Sequence, residues 1–178
     1  MIKAALALVF LSLAPAAHAE PAALAREMGA DVLFLRHALA PGTGDPANFR
    51  LGDCSTQRNL SDEGRQQARE IGDAIRASNL PVTQVLTSQW CRARDTANLL
   101  ALGRPVEEPG LNSFFGNPDA RIPTLERLQK ALAALPEGIT VMVTHQVVIT
   151  AITGQTVSSG GAVLYDVDTG RAEPVAFP

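Results

Sequence analysis

The segment Asp31–Arg36 (DVLFLR) is a short apolar run that ends in an arginine, and His37 follows it directly. A second run, Ile139–Thr144 (ITVMVT), is rich in β-branched residues and is followed by His145. A third run of the same length is Val82–Thr87 (VTQVLT). Runs of this length and composition predict buried β-strands. The sequence therefore predicts three strands, two of which end at a histidine.

Helical patterns separate and follow these strands. Ser61 is placed to cap the amino end of a helix. The apolar residues of that helix share one face: Ala68, Ile71 and Ile75. Further helices are expected from Arg92 to Leu100 and from near Pro123, and residues 162–177 predict two strands about the turn 168–170. This order indicates a three-layer α/β/α sandwich with a mostly parallel sheet and an antiparallel C-terminal edge hairpin.

The amino end has the pattern of a signal peptide. Met1–Lys3 supplies a positive charge, Ala4–Ala16 is an almost uninterrupted apolar run, and Ala17–Ala19 fits the small-x-small cleavage rule. We therefore expect residues 1–19 to be removed on export to a periplasm or the cell exterior, and residues 20–178 to form one domain. A retained anchor helix is the alternative, although the apolar run is short for a membrane span.

Composition restricts the partners. A net charge of −3 provides no basic face, so nucleic acid is not an expected partner. One Trp, one Tyr and six Phe are few, which argues against an aromatic-lined binding surface. Both cysteines, Cys54 and Cys91, lie in the part expected to be exported, where a disulfide can form; two buried free thiols are the alternative. The sequence leaves the oligomeric state open.

The residues at the strand ends point to an anion site. His37 and His145 each follow a strand, and ligands bind at the carboxyl ends of strands in open α/β sheets. Arg36 and Arg92 bring guanidinium groups, which bind phosphate oxygens in a bidentate manner, to the same edge. Each residue alone has an ordinary structural explanation, but four residues converging on one edge predict a phosphoryl site. Two histidines without a third ligand make a poor zinc site, so no metal or cofactor is expected.

Four motifs in order carry a family resemblance. Leu35–Ala38 (LRHA) is similar to the Arg-His-Gly signature of the histidine phosphatase and phosphoglycerate mutase superfamily. Asn59–Gly64 (NLSDEG) resembles its Leu-Ser/Thr-x-x-Gly helix start, and Ser88–Ala97 (SQWCRARDTA) resembles its Ser-x-x-x-Arg-Ala-x-x-Thr-Ala segment. Val143–His145 resembles its second catalytic histidine motif. The resemblance covers residues 31–154 and suggests the small exported bacterial branch.

The resemblance implies a phosphatase that needs no metal ion. His37 would attack phosphorus and become phosphohistidine, while Arg36, Arg92 and His145 would hold the phosphoryl oxygens. For this role the His37 ring must be neutral, with its second nitrogen held by a partner that the sequence does not identify. Arg58 is a weaker candidate for a phosphate or substrate contact, with an ordinary loop arginine as the alternative.

The family's general acid has no obvious counterpart. Gln146 follows His145 where some phosphatases have Asp, and the loop 111–116 has Asn where the family pattern suggests Glu. Three nearby carboxylates are candidates: Glu107, Glu108 and Asp119. A general acid matters most for a poor leaving group, so we expect a preference for activated phosphoryl groups or easily expelled leaving groups.

The expected substrate is a small phosphorylated compound, and hydrolysis of phosphomonoesters is the leading function. Within the family, the alternative is a cell-envelope phosphatase acting on phosphorylated lipopolysaccharide sugars. An alternative of a different class is a phosphate-binding or degenerate member without turnover, which the missing acid would explain. The retained set of His37, Arg36, Arg92 and His145 argues against degeneracy.

Overall fold

A computed structural model describes residues 20–177, so the expected signal peptide at 1–19 lies outside the described residues. The strands are β1 (Val32–Arg36), β2 (Val82–Thr87), β3 (Val106–Glu107), β4 (Ile139–Thr144), β5 (Ala162–Tyr165) and β6 (Ala172–Val175). The helices are α1 (Pro21–Met28), α2 (Asp62–Ala77), α3 (Cys91–Leu100), α4 (Arg121–Leu132) and α5 (Gln146–Thr153). In this described part, no helix is both long and apolar enough to cross a membrane.

The six strands form one sheet in the order β3-β2-β4-β1-β5-β6. The first four are parallel, whereas β5 is antiparallel to β1 and β6 is antiparallel to β5. This confirms the mostly parallel sheet with an antiparallel C-terminal hairpin. Because Arg36 is in register with Thr144, β1 and β4 end side by side. His37 and His145 therefore leave the sheet at the same edge.

The buried residues of β1 show why the sheet has a layer of helices on each face. Leu33 and Leu35 pack into a cluster with α1, α2 and α3, while Val32 and Phe34 pack into a second cluster with α4 and α5. All four side chains are fully buried. A strand covered on both faces has a continuous apolar run rather than an alternating one. The three-layer α/β/α arrangement is confirmed.

The start of α2 lies against the loop that follows β1. The Ser61 hydroxyl accepts a hydrogen bond from the Gly64 amide at 3.1 Å, as expected for a helix cap. A Cβ atom added to Gly64 would lie 2.0 Å from the Leu39 carbonyl oxygen, so only glycine permits this approach. Gln67, one turn further along, accepts a hydrogen bond from the Leu39 amide at 2.9 Å. The first turns of α2 thereby fix the backbone just beyond His37.

Cys54 and Cys91 form a disulfide, which is the first of the two alternatives that the sequence left open. Cys54 lies in the long irregular segment between β1 and α2, and Cys91 is the first residue of α3. The Gln57 side chain reinforces the connection by accepting a hydrogen bond from the Cys91 amide at 3.0 Å. The irregular segment is therefore tied to the helix that carries Arg92.

Candidate active site

The two histidines form the centre of the site. Their ring centroids are 5.4 Å apart, and only 2% of His37 and 3% of His145 is exposed. Arg92 lies between them: its Nε donates to His37 Nε2 at 3.2 Å, and its Nη2 is 3.4 Å from His145 Nδ1. The amino ends of α3 and α5 lie at this edge, where helix dipoles favour a negatively charged group.

The His37 ring has a defined tautomer. Its Nδ1 is 2.8 Å from the Ala38 carbonyl oxygen, which can only accept, so Nδ1 carries the proton and Nε2 carries the lone pair. Burial, followed by the charges of Arg92, Arg58 and Arg36, lowers the pKa of His37 to about 3, although the bond to Ala38 acts in the opposite direction. The ring is therefore neutral at physiological pH. Ala38 is the partner that the sequence did not identify.

His145 is oriented by a chain of hydrogen bonds. Asn112 Oδ1 accepts from the Gln89 amide at 2.9 Å and from the Ser88 hydroxyl at 3.2 Å. Ser88 Oγ in turn accepts from His145 Nε2 at 2.8 Å, which leaves Nδ1 facing Arg92. Burial and then the Arg92 charge hold the pKa of His145 well below its ordinary value. Asn112, at the position where the family pattern suggests Glu, thus orients Ser88.

Asp45 is a site residue that the sequence analysis missed. Its carboxylate accepts from Arg92 Nη1 at 2.7 Å and from Nη2 at 3.3 Å, and also from the Trp90 indole at 3.0 Å and the Arg58 amide at 3.1 Å. Burial alone raises the pKa of Asp45, but these donors together bring it below its ordinary value. The carboxylate is therefore ionised. Its only sequence signal is its place in the loop after the first motif.

The other two predicted arginines also reach the site. Arg36 donates from Nη1 to the Val157 carbonyl oxygen at 2.8 Å, and its Nε is buried without a hydrogen-bond partner among the described residues. Arg58 donates to the carbonyl oxygens of Ala40 and Gly44, the latter at 2.8 Å, and so holds the loop that carries Asp45. Both arginines line the same cavity as the histidines.

None of the three acid candidates lines this cavity, although Asp119 adjoins Ala120, which does. Glu107 is paired with Arg94 on the surface at 3.3 Å, and Glu108 accepts from the Gly110 amide at 2.7 Å. Asp119 is exposed on the short 3₁₀ turn before α4. Within residues 20–177, Asp45 is the one carboxylate in the cavity wall.

Gln146 also lines the cavity, but its side-chain amide already has partners. It donates to Thr150 at 2.7 Å and to the Gln155 carbonyl at 3.1 Å, and it accepts from the Val157 amide at 3.0 Å. Gln146, the residue after the second histidine, therefore holds the loop whose Val157 carbonyl accepts a hydrogen bond from Arg36.

In the part of the chain that the structure describes, no group of three or more His, Cys, Asp or Glu side chains is placed to hold a metal ion. The expectation of a metal-free site remains a prediction.

The cavity has a volume of about 700 Å³, and aromatic rings form part of its wall. Phe49, Trp90 and Phe115 all line it, contrary to the expectation from the low aromatic content. Composition counts residues without locating them, and this fold brings three of its few rings to one opening. The cavity thus combines a cationic centre around His37 with an aromatic outer part.

The geometry can be compared with known proteins. Residues 32–115 match the family described as histidine phosphatase superfamily (branch 1). This segment, just under half of the chain, is similar to that superfamily. The matched segment contains His37, Asp45, Arg58 and Arg92, whereas His145 lies beyond it. The search of curated proteins gave no match.

Solved structures share the histidine phosphatase fold. A phosphoglycerate mutase from Thermus thermophilus has 23% sequence identity and a TM-score of 0.58, covering 83% of this chain and 99% of that one. TTHB049 from the same organism has 20% identity and a TM-score of 0.57, with 82% and 98% covered. The protein histidine phosphatase SixA, complexed with tungstate, has 15% identity and a TM-score of 0.52, with 82% and 94% covered. At these identities the likeness concerns the fold.

Proposed function

We propose that this chain is a metal-independent phosphatase that hydrolyses phosphomonoesters through a phosphohistidine on His37. The observation that carries the proposal is the neutral His37 ring, with Nδ1 bound to the Ala38 carbonyl and Nε2 beside Arg92 in the cavity. A neutral imidazole nitrogen is a nucleophile, and fixed guanidinium groups stabilise the charge on transferring phosphoryl oxygens. The family match supports the same chemistry.

In the first step, the His37 Nε2 lone pair forms a bond to phosphorus. The ester P–O bond breaks, and its electron pair leaves with the alcohol oxygen. Arg92 and Arg36, which both line the cavity, bind the equatorial oxygens. Arg92 must shift its bonds from His37 and Asp45 to the phosphoryl group as the substrate enters.

Asp45 affects both chemical steps, the departure of the leaving group and the attack of water. Because the carboxylate is ionised beside Arg92, it has no proton to give to the leaving group. Leaving groups that depart as stable anions are therefore favoured. In the second step, Asp45 accepts a proton from the water that attacks phosphorus, the N–P bond breaks, and His37 regains its lone pair.

Hydrolysis of p-nitrophenyl phosphate in the presence of a chelator tests the proposal. We expect activity that is unaffected by the chelator and absent in His37→Ala. Arg92→Ala should lower kcat/KM by about 10²- to 10³-fold, because a fixed donor to the transition state is lost. Arg94→Ala is the matched control, since Arg94 pairs with Glu107 on the surface. Activity that requires added metal, or that survives in His37→Ala, would contradict the mechanism.

The leaving-group preference has a separate test. We expect kcat/KM for p-nitrophenyl phosphate to exceed that for ethyl phosphate by at least about 100-fold, because an acid catalyst typically contributes that much for a poor leaving group. Comparable values for the two esters would show that an effective acid is present. Binding of phosphate without turnover of any ester would support the phosphate-binding alternative.

We also propose that the protein is exported. The disulfide supports an oxidising compartment, and the pattern of residues 1–19 supports a cleaved leader. Expression of the full chain in a Gram-negative host, followed by intact-mass analysis of the periplasmic fraction, tests this. The expected product begins at Glu20. A product that keeps Met1 and remains in the cytoplasmic fraction would contradict export.

A further inference from the structure

The cavity is larger than a phosphoryl group requires. Its volume of about 700 Å³ lies within the range of roughly 300–1,000 Å³ found for sites that hold drug-sized ligands. In the described part of the chain, its charged wall residues are Arg36, Asp45, Arg58 and Arg92. The three arginines act electrostatically on His37, and Asp45 is bound to Arg92. These four charged residues are thus part of the phosphoryl centre, and the other residues of the cavity wall are uncharged.

Two stacked aromatic rings, Trp90 and Phe49, extend from the phosphoryl centre into the aromatic outer part of the cavity. Trp90 packs edge-on against His145, with ring centroids 5.5 Å apart. Phe49 stacks on Trp90 with centroids 5.0 Å apart and an interplanar angle of 21°. The hydrogen bond from the Trp90 indole to Asp45 fixes the orientation of this pair. A ligand that extends from the phosphoryl site therefore meets a rigid aromatic wall.

Phe115 contributes a third ring from a different loop. It is 59% exposed although it lines the cavity, and a Cβ atom on Gly44 would lie 3.9 Å from its ring. The loops that carry Phe49 and Phe115 thus approach each other at the opening. A largely exposed ring in a cavity wall has apolar surface that a ligand can remove from water. Ile122, comparably exposed at 66%, lies outside the wall.

We propose that this outer part binds an uncharged, planar aromatic ring on the alcohol of the substrate. The inference rests on the proposed function and narrows its substrates to aryl-type phosphomonoesters. Aromatic rings gain stacking or edge-to-face contacts beyond simple burial, and the three rings of this wall offer such contacts to a planar ligand. Aryl alcohols are also expelled readily as anions, as the ionised Asp45 requires.

Calorimetric binding of non-hydrolysable ligands tests this inference without requiring turnover. The ligands are phenylphosphonate, cyclohexylphosphonate and inorganic phosphate. The proteins are the wild type, Phe115→Ala, Phe115→Leu and the control Ile122→Ala. We expect the wild type to bind the phenyl ligand about fivefold more tightly than the cyclohexyl ligand. The ratio of phenylphosphonate affinity to phosphate affinity should fall about fivefold in Phe115→Ala, fall in Phe115→Leu, and stay constant in Ile122→Ala.

The outcomes separate this inference from the proposed function. Equal affinities for the phenyl and cyclohexyl ligands would overturn the aromatic subsite, because apolar burial alone would then explain binding. An unchanged affinity ratio in Phe115→Ala would overturn it as well. In both cases, binding of inorganic phosphate would still support the proposed phosphoryl site. Failure of the folded wild type to bind inorganic phosphate would overturn the phosphoryl site and the aromatic subsite together.

Discussion

His37 keeps a neutral ring because burial and three arginines oppose its protonation. With a pKa of about 3 in the folded protein, the ring stays neutral across the range in which an exposed histidine titrates. We expect nitrogen NMR of the histidine rings to show an Nδ1–H tautomer at His37 from pH 7 down to about pH 4.5. Protonation with a midpoint near 6.5 would contradict this account of the nucleophile.

The same lowered pKa links stability to pH. Below pH 6.5 the unfolded chain takes up a proton at His37 that the folded chain does not, so protonation favours unfolding. The contribution of this group to the free energy of unfolding is fully present above pH 6.5 and is lost as pH falls toward 3. His145, whose pKa is also lowered, acts in the same direction.

Asp45 provides a prediction that separates the two chemical steps. Asp45→Asn keeps one acceptor oxygen, replaces the other of the two that Arg92 and Trp90 use with an NH2 donor, and cannot accept a proton from water. Phosphohistidine should therefore still form with an aryl phosphate, while its hydrolysis slows about 100-fold and the phosphoprotein accumulates. Rapid-quench kinetics measures both rates. A phosphoenzyme that decays in Asp45→Asn at the wild-type rate would exclude Asp45 as the base.

At the scale of elements, the start of α2 and the loop after β1 depend on each other. Alanine at position 64 would favour the helix by propensity, yet its Cβ would meet the Leu39 carbonyl oxygen at 2.0 Å. We expect Gly64→Ala to lower the free energy of unfolding by about 1–3 kcal/mol and to lower activity, because residue 39 is close to His37. Gly116→Ala, with no atom within 4 Å, is the control in urea unfolding. Equal stability of the two variants would contradict the close approach.

The elements that the sequence predicted have a readable pattern or a turn signal. β1 and β4 are buried apolar runs of strand length, and α2 has one clear apolar face. α5 was not predicted because it has only eight residues, six of them Val, Ile or Thr, which are β-branched and favour a strand. α1, just after the expected leader, was also not predicted. β3 has only two residues and exists through its pairing with β2.

The site residues likewise divide into those that the sequence predicted and those that it did not. Arg36, His37, Arg92 and His145 occupy motif positions at strand ends or at a helix start, so their convergence follows from the topology of a parallel sheet. Asp45 could not be placed in this way. It lies in an irregular segment whose path depends on the disulfide and on the contacts of Arg58, both of which are tertiary. The aromatic wall could not be predicted either, because composition counts the aromatic residues without showing where they lie in the fold.

At the scale of the whole molecule, the disulfide joins the segment carrying Asp45 to the helix carrying Arg92. It spans 37 residues of sequence, and a bridge of this kind stabilises a protein by about 2–4 kcal/mol. We expect reduction to lower the free energy of unfolding in urea by that amount and to raise KM, because Asp45 and Arg58 lose an anchor. Identical urea midpoints for the oxidised and reduced protein would contradict a structural role.

The central claim is covalent catalysis at His37, and trapping the intermediate tests it most directly. The protein is mixed with p-nitrophenyl phosphate in the presence of a chelator, quenched in alkali, and analysed by intact mass and peptide mapping, with His37→Ala in parallel. The account predicts one acid-labile phosphoryl group, located on His37 and absent from the variant. Turnover without any phosphoprotein, or with the phosphoryl group on another residue, would contradict it.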